Sequence, residues 1–103
     1  MDQGFLFRAN VMLSGEEFIL AACDEELIGK EFREGKKRLL VDERFYGGKL
    51  VGPEELVSLL GEATIANLTG ERVVQTAIDA GIINPSNVLR VDGVPHAQLA
   101  RRL

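Results

Sequence analysis

Cys23 and His96 are the only cysteine and the only histidine of the sequence, and together they are its best candidates for nucleophilic catalysis. A nucleophilic thiolate needs a lowered pKa, which a neighbouring histidine, cation or helix N-terminus can provide. His96 could act as the base, and a turn beginning at Asp24 could supply the helix N-terminus. Three acidic residues follow Cys23, however, and negative charge disfavours a thiolate. A buried structural cysteine is therefore the preferred interpretation, and an enzyme that uses this pair is the alternative.

The other spacings do not form a metal or cofactor site. A structural zinc site takes four cysteine or histidine ligands, and one chain supplies only two such residues. The acidic pairs Glu25-Glu26 and Glu54-Glu55 are adjacent, and adjacent residues on a helix do not face each other. The glycine-rich fingerprints of phosphate and dinucleotide loops do not occur either. We predict no metal and no cofactor, and we favour a protein without enzyme activity.

The segment 30–49 combines basic residues with aromatic rings and glycines. Basic side chains neutralise phosphates, aromatic rings stack on unpaired bases, and glycines allow close backbone approach. The candidate nucleic-acid-binding residues are Lys30, Arg33, Lys36, Lys37, Arg38, Arg44, Tyr46 and Lys49. Arg90 and the C-terminal arginines could extend this site. The alternative, which a lone basic block in an acidic chain favours, is a solvated turn with Phe45 in the core.

The composition sets limits on these hypotheses. The 103 residues carry a formal net charge of -4, with 12 Lys+Arg against 16 Asp+Glu. This charge alternates along the chain, with -5 in residues 1–29, +3 in 30–49, -4 in 50–87 and +2 in 88–103. The negative net charge argues against a generic DNA-coating protein, and a hydrophobic content of 46% argues against a disordered tail.

The lack of linkers, long apolar runs and paired cysteines limits the setting of the protein. No Pro/Ser-rich linker divides the sequence, so we predict one domain over residues 1–103. No apolar run approaches the roughly 20 residues that span a bilayer, and we predict no membrane partner. A single cysteine cannot form an internal disulfide, so we expect a cytoplasmic protein.

The first half of the sequence predicts strands. Residues 5–13 alternate between apolar and polar side chains, and residues 18–23 are almost continuously apolar. A short glycine-containing turn between them predicts an antiparallel hairpin. Asp24 is then expected to cap one helical turn, residues 38–42 to form a third strand, and residues 45–48 to form a loop.

The second half predicts two helices and a final strand. Pro53 and the acids after it begin a helix, and a second helix is expected over 70–80, capped by Thr69 or Asn67. The stretch 64–68 is ambiguous between a strand and a link. A last strand is predicted over 88–91, followed by a tight turn at Asp92-Gly93 and an exit turn containing His96. This order predicts an α+β fold of two layers, a mostly antiparallel sheet with two helices on one face.

Several motifs together resemble a known family. They are Ala21-Ala22-Cys23-Asp24, Phe32-Arg33-Glu34-Gly35, Phe45-Tyr46-Gly47-Gly48, Ala63-Thr64-Ile65-Ala66-Asn67-Leu68, Gly70-Glu71-Arg72 and Gly93-Val94-Pro95-His96-Ala97-Gln98. The sequence resembles the archaeal family of small proteins known as domain of unknown function 424. The resemblance implies a two-layer α+β architecture and an association with translation or RNA handling, and it brings no catalytic residues.

Three hypotheses follow. The first is a non-enzymatic module that binds RNA or a ribonucleoprotein through the segment 30–49. It expects Lys36, Lys37 and Arg38 to share a face with Tyr46 or His96 and not to pair with Glu31, Glu34 or Glu43. The second is a protein-interaction subunit or homodimer, formed through a sheet edge or through the apolar helix faces. The third is an enzyme that uses Cys23 and His96.

Overall fold

The computed structural model describes residues 6–101, which form eight strands and three helices. The strands are β1 (Phe7–Ser14), β2 (Glu17–Asp24), β3 (Glu31–Glu34), β4 (Lys37–Leu40), β5 (Lys49–Val51), β6 (Ile65–Thr69), β7 (Leu89–Val91) and β8 (Val94–Ala100). The helices are α1 (Glu43–Tyr46), α2 (Pro53–Glu62) and α3 (Glu71–Asp79), and single 3₁₀ turns cover Glu25–Leu27 and Pro85–Asn87. The predicted residue Phe5 and the last two residues lie outside the described range.

Six strands form the main sheet in the order β5-β1-β2-β6-β8-β7, and β3 and β4 form a separate hairpin. Only β2 and β6 run parallel, and every other neighbouring pair is antiparallel. The predicted hairpin between the first two strands is confirmed, because β1 and β2 pair from Phe7↔Asp24 to Ser14↔Glu17. The predicted α+β fold with a mostly antiparallel sheet is confirmed.

Helices α2 and α3 cover one face of the main sheet, as predicted. Their buried side chains include Leu56 and Leu60 on α2 and Val73 on α3. These residues share one core with the sheet residues Leu20 and Leu68. We call the side of the sheet that α2 and α3 cover the helix-side face. Both helices carry apolar residues at helical spacing, so each helix buries one apolar stripe of its surface against the sheet.

The opposite face of the sheet is covered in part by α1 and by the β3–β4 hairpin. A second buried cluster there joins Ala21, Cys23, Val41 and Tyr46, with Phe32 packed against it. The small layer formed by α1 and the hairpin adds to the predicted pair of layers. It explains why β2 is apolar on both faces, since β2 lies in the middle of the sheet between two cores.

Several elements differ from the sequence-based predictions. The strand β3 was not predicted, because three of its four residues are charged and exposed. The predicted loop at 45–48 begins inside helix α1, and the ambiguous stretch 64–68 is the central strand β6. The predicted exit turn at His96 is wrong, because His96 lies within β8. No helix within residues 6–101 has the length and apolar character needed to cross a membrane.

Candidate functional site

The β3–β4 hairpin carries two arginines side by side on its outer face. A turn with Gly35 at φ +62° connects the two strands, and in the register Arg33 lies opposite Arg38. Directly opposed residues of an antiparallel pair point to the same face. Phe32 and Leu39 also oppose each other, on the opposite face of the hairpin. This face points inward, because Leu39 is buried and Phe32 packs against the second buried cluster. The two guanidinium groups therefore face solvent.

Glu31 holds both guanidinium groups. Its Oε2 atom accepts a hydrogen bond from Arg38 Nε and another from Arg33 Nη2, the latter at 2.9 Å. These bonds lower the pKa of Glu31, the bond from Arg38 most strongly. Like charges directly opposed on two strands are destabilising, and the shared carboxylate offsets that repulsion. The side chains of Arg33 and Arg38 remain 70% and 53% exposed, so most of their N–H donors can reach a ligand.

The hairpin packs against the backbone of β7 and of the turn after it. Lys37 Nζ donates to the backbone carbonyl of Arg90 at 3.0 Å, and the N–H of Asp92 donates to Glu34 Oε1 at 2.7 Å. We call the exposed cations of the hairpin the hairpin surface, and they are Arg33, Lys36, Lys37 and Arg38. The Arg90 guanidinium does not join this surface, because it donates to Glu71 Oε2 at 2.8 Å and to the carbonyl of Gly93 at 3.0 Å.

The other predicted residues do not all join the hairpin surface. Arg44 lies on α1, and Lys49 lies on β5, where it pairs with Glu55 at 2.6 Å. Lys30 is exposed at the base of the hairpin. Arg101 donates to the carbonyls at the end of α2, and Arg102 lies outside the described residues.

Tyr46 is 4% exposed, so its ring is not available to stack on a base. The expectation that the basic residues share a face with Tyr46 is not met, and Arg38 pairs with Glu31, contrary to the expectation. Lys37 lies opposite Glu34 on the inward-pointing side of the hairpin and Arg38 on its outer side, while Tyr46 lies within the core beneath.

A chain of hydroxyl and imidazole groups occupies the core beneath α1. Thr69 Oγ1 lies 3.0 Å from Tyr46 Oη and 2.9 Å from His96 Nδ1. Burial lowers the pKa of His96, so the imidazole is neutral. We infer that Tyr46 donates to Thr69 and Thr69 donates to Nδ1, because this order gives the buried tyrosine proton an acceptor. This series of hydrogen bonds connects α1, β6 and β8.

Cys23 does not pair with His96. The sheet register places Thr69 opposite Cys23 on one side and opposite His96 on the other. Two strand spacings, about 9–10 Å, therefore separate the backbones of Cys23 and His96. Cys23 has no exposed surface, and burial, followed by the charge of Asp24, raises the pKa of its thiol to about 12. The arrangement that the enzyme hypothesis required, a thiolate beside an imidazole in an open cleft, is not formed.

Asp24 has a role that sequence reasoning missed. Its carboxylate accepts hydrogen bonds from the N–H groups of Arg72 at 3.0 Å and Val73 at 2.8 Å, at the start of α3. Asp24 occupies the predicted N-cap position of the 3₁₀ turn Glu25–Leu27, but its side chain makes no hydrogen bond to that turn. The predicted caps Thr69 and Asn67 are also wrong, since they belong to β6 and Gly70 occupies the N-cap position. Burial raises the pKa of Asp24, against the opposing effect of the two N–H bonds.

Comparison with known proteins agrees with the motifs that the sequence carries. A family model described as protein of unknown function, DUF424, matches residues 13–101. The chain belongs to the DUF424 family. No curated protein matches the chain. A crystal structure of an uncharacterized conserved protein from Methanopyrus kandleri is similar to it, with 27% sequence identity, a TM-score of 0.78, and coverage of 95% of this chain and 96% of that one.

A cavity of about 210 Å³ in this DUF424 protein lies between β1 and α1, lined by Arg8, Glu25, Ile28, Glu43, Gly47 and Gly48. Arg8 donates to the carbonyl of Gly48 at 3.0 Å, so its guanidinium is held by the residues that line the cavity. A Cβ at Gly48 would lie 2.0 Å from the carbonyl oxygen of Ala9, which means that close packing against β1 requires this glycine. Within residues 6–101 no group of acidic, cysteine or histidine side chains could hold a metal ion.

Proposed function

We propose that this DUF424 protein is a non-enzymatic module that binds the phosphate backbone of structured RNA through its hairpin surface. The observation that carries the proposal is the position of Arg33 directly opposite Arg38, both on the outer face and both held by Glu31. Arginine suits phosphate because its planar group can donate two parallel hydrogen bonds. A carboxylate that fixes both groups before binding reduces the side-chain entropy lost on binding.

The charge distribution supports an anionic ligand at this end of the molecule. The segment 30–38 contains five cations and two acids, whereas the whole chain has a net charge of -4. One of those acids, Glu34, is engaged by the backbone of Asp92. The rest of the molecule is acidic and repels nucleic acid, and this repulsion would orient the hairpin towards the ligand.

The absence of an aromatic ring on this surface determines the kind of contact. Phe32 packs inward and Tyr46 is buried, so the described part of the hairpin surface has no ring on which a base could stack. Contacts to phosphates fix position and carry little sequence information. Structured RNA is favoured because the deep, narrow groove of an A-form helix brings two rows of phosphates close together, where a narrow hairpin can reach both.

A fluorescence anisotropy titration with a labelled RNA hairpin, at several salt concentrations, tests the proposal. The double variant Arg33→Gln with Arg38→Gln should weaken binding at every salt concentration. Loss of two phosphate contacts should also reduce the slope of log K against log salt by about 2. The matched control is Arg44→Gln with Lys49→Gln, which removes the same charge from other elements and should leave the slope unchanged.

Three competitors identify the ligand class: the unlabelled RNA, a DNA duplex of the same sequence, and polyglutamate. Competition by RNA at concentrations where the DNA duplex and polyglutamate are ineffective supports the proposal. Equal loss of affinity in both double variants would show a response to net charge alone and would contradict a local site. An absence of binding at low salt, or stronger competition by polyglutamate, would also overturn the proposal, the latter in favour of an acidic protein partner.

A further inference from the structure

The outer edge of β1 has no neighbouring strand over half of its length. β5 pairs with β1 only at Phe7, Ala9 and the residue between them. From Asn10 to Ser14 no strand within residues 6–101 pairs with that edge. The strand β1 nevertheless continues regularly to Ser14, with an unbroken register against β2. Gly48 lies against Ala9 and Asn10, so the open strand edge is the four residues 11–14.

This edge lacks the features that normally prevent strand pairing. Natural edge strands are protected by charged side chains, prolines, bulges or short length. The segment Asn10–Ser14 contains no charge and no proline, and its register with β2 contains no bulge. At the other end of the sheet, by contrast, β7 has three residues and carries the exposed Arg90.

The side chains on this segment are apolar and exposed. Val11 and Leu13 project from the helix-side face, like Phe7 and Ala9 before them, because side chains alternate along a strand. They extend past the helices and are 38% and 74% exposed. A partner strand along the same edge would cover both of them.

We propose that the free edge of β1 pairs with the same edge of a second copy of this chain. The backbone geometry is self-complementary. The two-residue turn Gly15-Glu16 makes Ser14 and Glu17 a hydrogen-bonded pair, and such pairs alternate along a hairpin. The N–H and C=O groups of Val11 and Leu13 therefore point away from β2.

A two-fold axis at Met12 uses all of these free groups. It places Val11 of each copy opposite Leu13 of the other, which gives four intermolecular hydrogen bonds, and the pairing ends before Asn10, against which Gly48 lies. The turn of each copy then ends near the start of β5. Pairing centred at Val11 would collide with β5, and pairing centred at Leu13 would place Val11 opposite Gly15 in the turn and so pair fewer of the free groups.

The pairing unites two six-stranded sheets into one. The contact is small compared with the roughly 1,000 Å² of a stable interface, so we expect a weak dimer that forms as the concentration rises. The proposal does not rest on the proposed RNA site, because the hairpin surface is on different strands.

Disulfide cross-linking tests the register. Met12 would face Met12 of the second copy in a non-hydrogen-bonded pair, with α-carbons about 4.5 Å apart, which is within the range that a disulfide spans. Under mild oxidation Met12→Cys should form a covalent dimer as its main product. Leu89→Cys, exposed on β7, is the matched control and should remain monomeric, while the native Cys23 is buried. Equal cross-linking of both variants, or of neither, overturns the proposed register.

Sedimentation velocity over a range of concentrations tests the dimer without a new cysteine. The weight-average sedimentation coefficient of the native chain should rise with concentration. Leu13→Lys should abolish the rise, whereas Leu89→Lys, which puts the same charge at another exposed leucine, should preserve it. A native chain that stays monomeric, or a dimer that survives Leu13→Lys, overturns the proposal.

Discussion

The carboxylate of Asp24 packs directly against the α-carbon of Gly70. A Cβ at Gly70 would lie 2.5 Å from Cγ of Asp24, and the backbone there has φ +127°, a conformation that side chains disfavour. The glycine lets the carboxylate reach the N–H groups of Arg72 and Val73. The end of β2 is in this way fixed to the start of α3, between elements that are neighbours only in the folded chain.

We expect Gly70→Ala to destabilise the fold strongly. Backbone strain at such a position costs about 1–3 kcal/mol, and the overlap with Asp24 adds to it. Thermal or urea unfolding measures the effect. The control is Gly61→Ala, because Gly61 lies within α2 with open space around it and should gain up to about 1 kcal/mol of stability. A neutral Gly70→Ala would show that the carboxylate does not occupy this place.

Asp24→Ala should cost about 1–2 kcal/mol through loss of the helix cap. Asp24 and Gly70 should also be coupled. Replacing Gly70 by alanine should be less damaging in the Asp24→Ala background, because the overlap is gone and only the backbone strain remains. A double-mutant cycle from urea unfolding measures this coupling. Additive effects would argue against direct contact between the two residues.

The single histidine allows a direct test of the buried polar chain. Burial lowers the pKa of His96 below its usual value of 6.5. As the pH falls through 6.5, the unfolded chain binds a proton that the folded chain does not, so the free energy of unfolding decreases until the folded pKa is reached. Proton NMR of the lone imidazole should give a pKa below 6.5. A titration at or above 6.5 would contradict the neutral imidazole.

Tyr46→Phe should destabilise the protein modestly and leave ligand binding intact. The variant removes the hydroxyl that lies 3.0 Å from Thr69 Oγ1, and loss of such a buried bond costs about 1 kcal/mol. Urea unfolding measures that cost, and RNA anisotropy measures binding. A stable variant that loses RNA affinity would instead show that the Tyr46 hydroxyl takes part in binding.

The thiol of Cys23 should be unreactive in the folded protein. It has no exposed surface, and its pKa is raised to about 12. An aromatic disulfide reagent at about pH 8 should label it only in denaturant, because the thiolate is the reacting form. Ser14→Cys provides an exposed cysteine that should react at once under native conditions. Rapid labelling of native Cys23 would reopen the hypothesis of a catalytic thiol.

Local signals in the sequence were enough to locate some elements. Pro53 with its acids determined the start of α2, and the apolar spacing after Thr69 determined the extent of α3. The turn between β7 and β8 was also predictable, since Asp92 and Gly93 both adopt positive φ angles, 52° and 80°. In each case the deciding interactions lie within a few residues, so a short stretch of sequence contains the information.

The site depended on contacts between distant residues, and only the tertiary structure decided it. β3 is a strand because β4 pairs with it, although its charged residues give a weak strand signal. Tyr46 is buried because α1 folds over the sheet, so a residue that the sequence predicts to stack on a base is a core residue. The basic segment contacts the backbone of Arg90 because the hairpin packs on β7. Asp24 caps a helix that lies much later in the chain. Pairing and capping partners of this kind are chosen by the folded arrangement, and a sequence pattern records the residue types but not which of them meet.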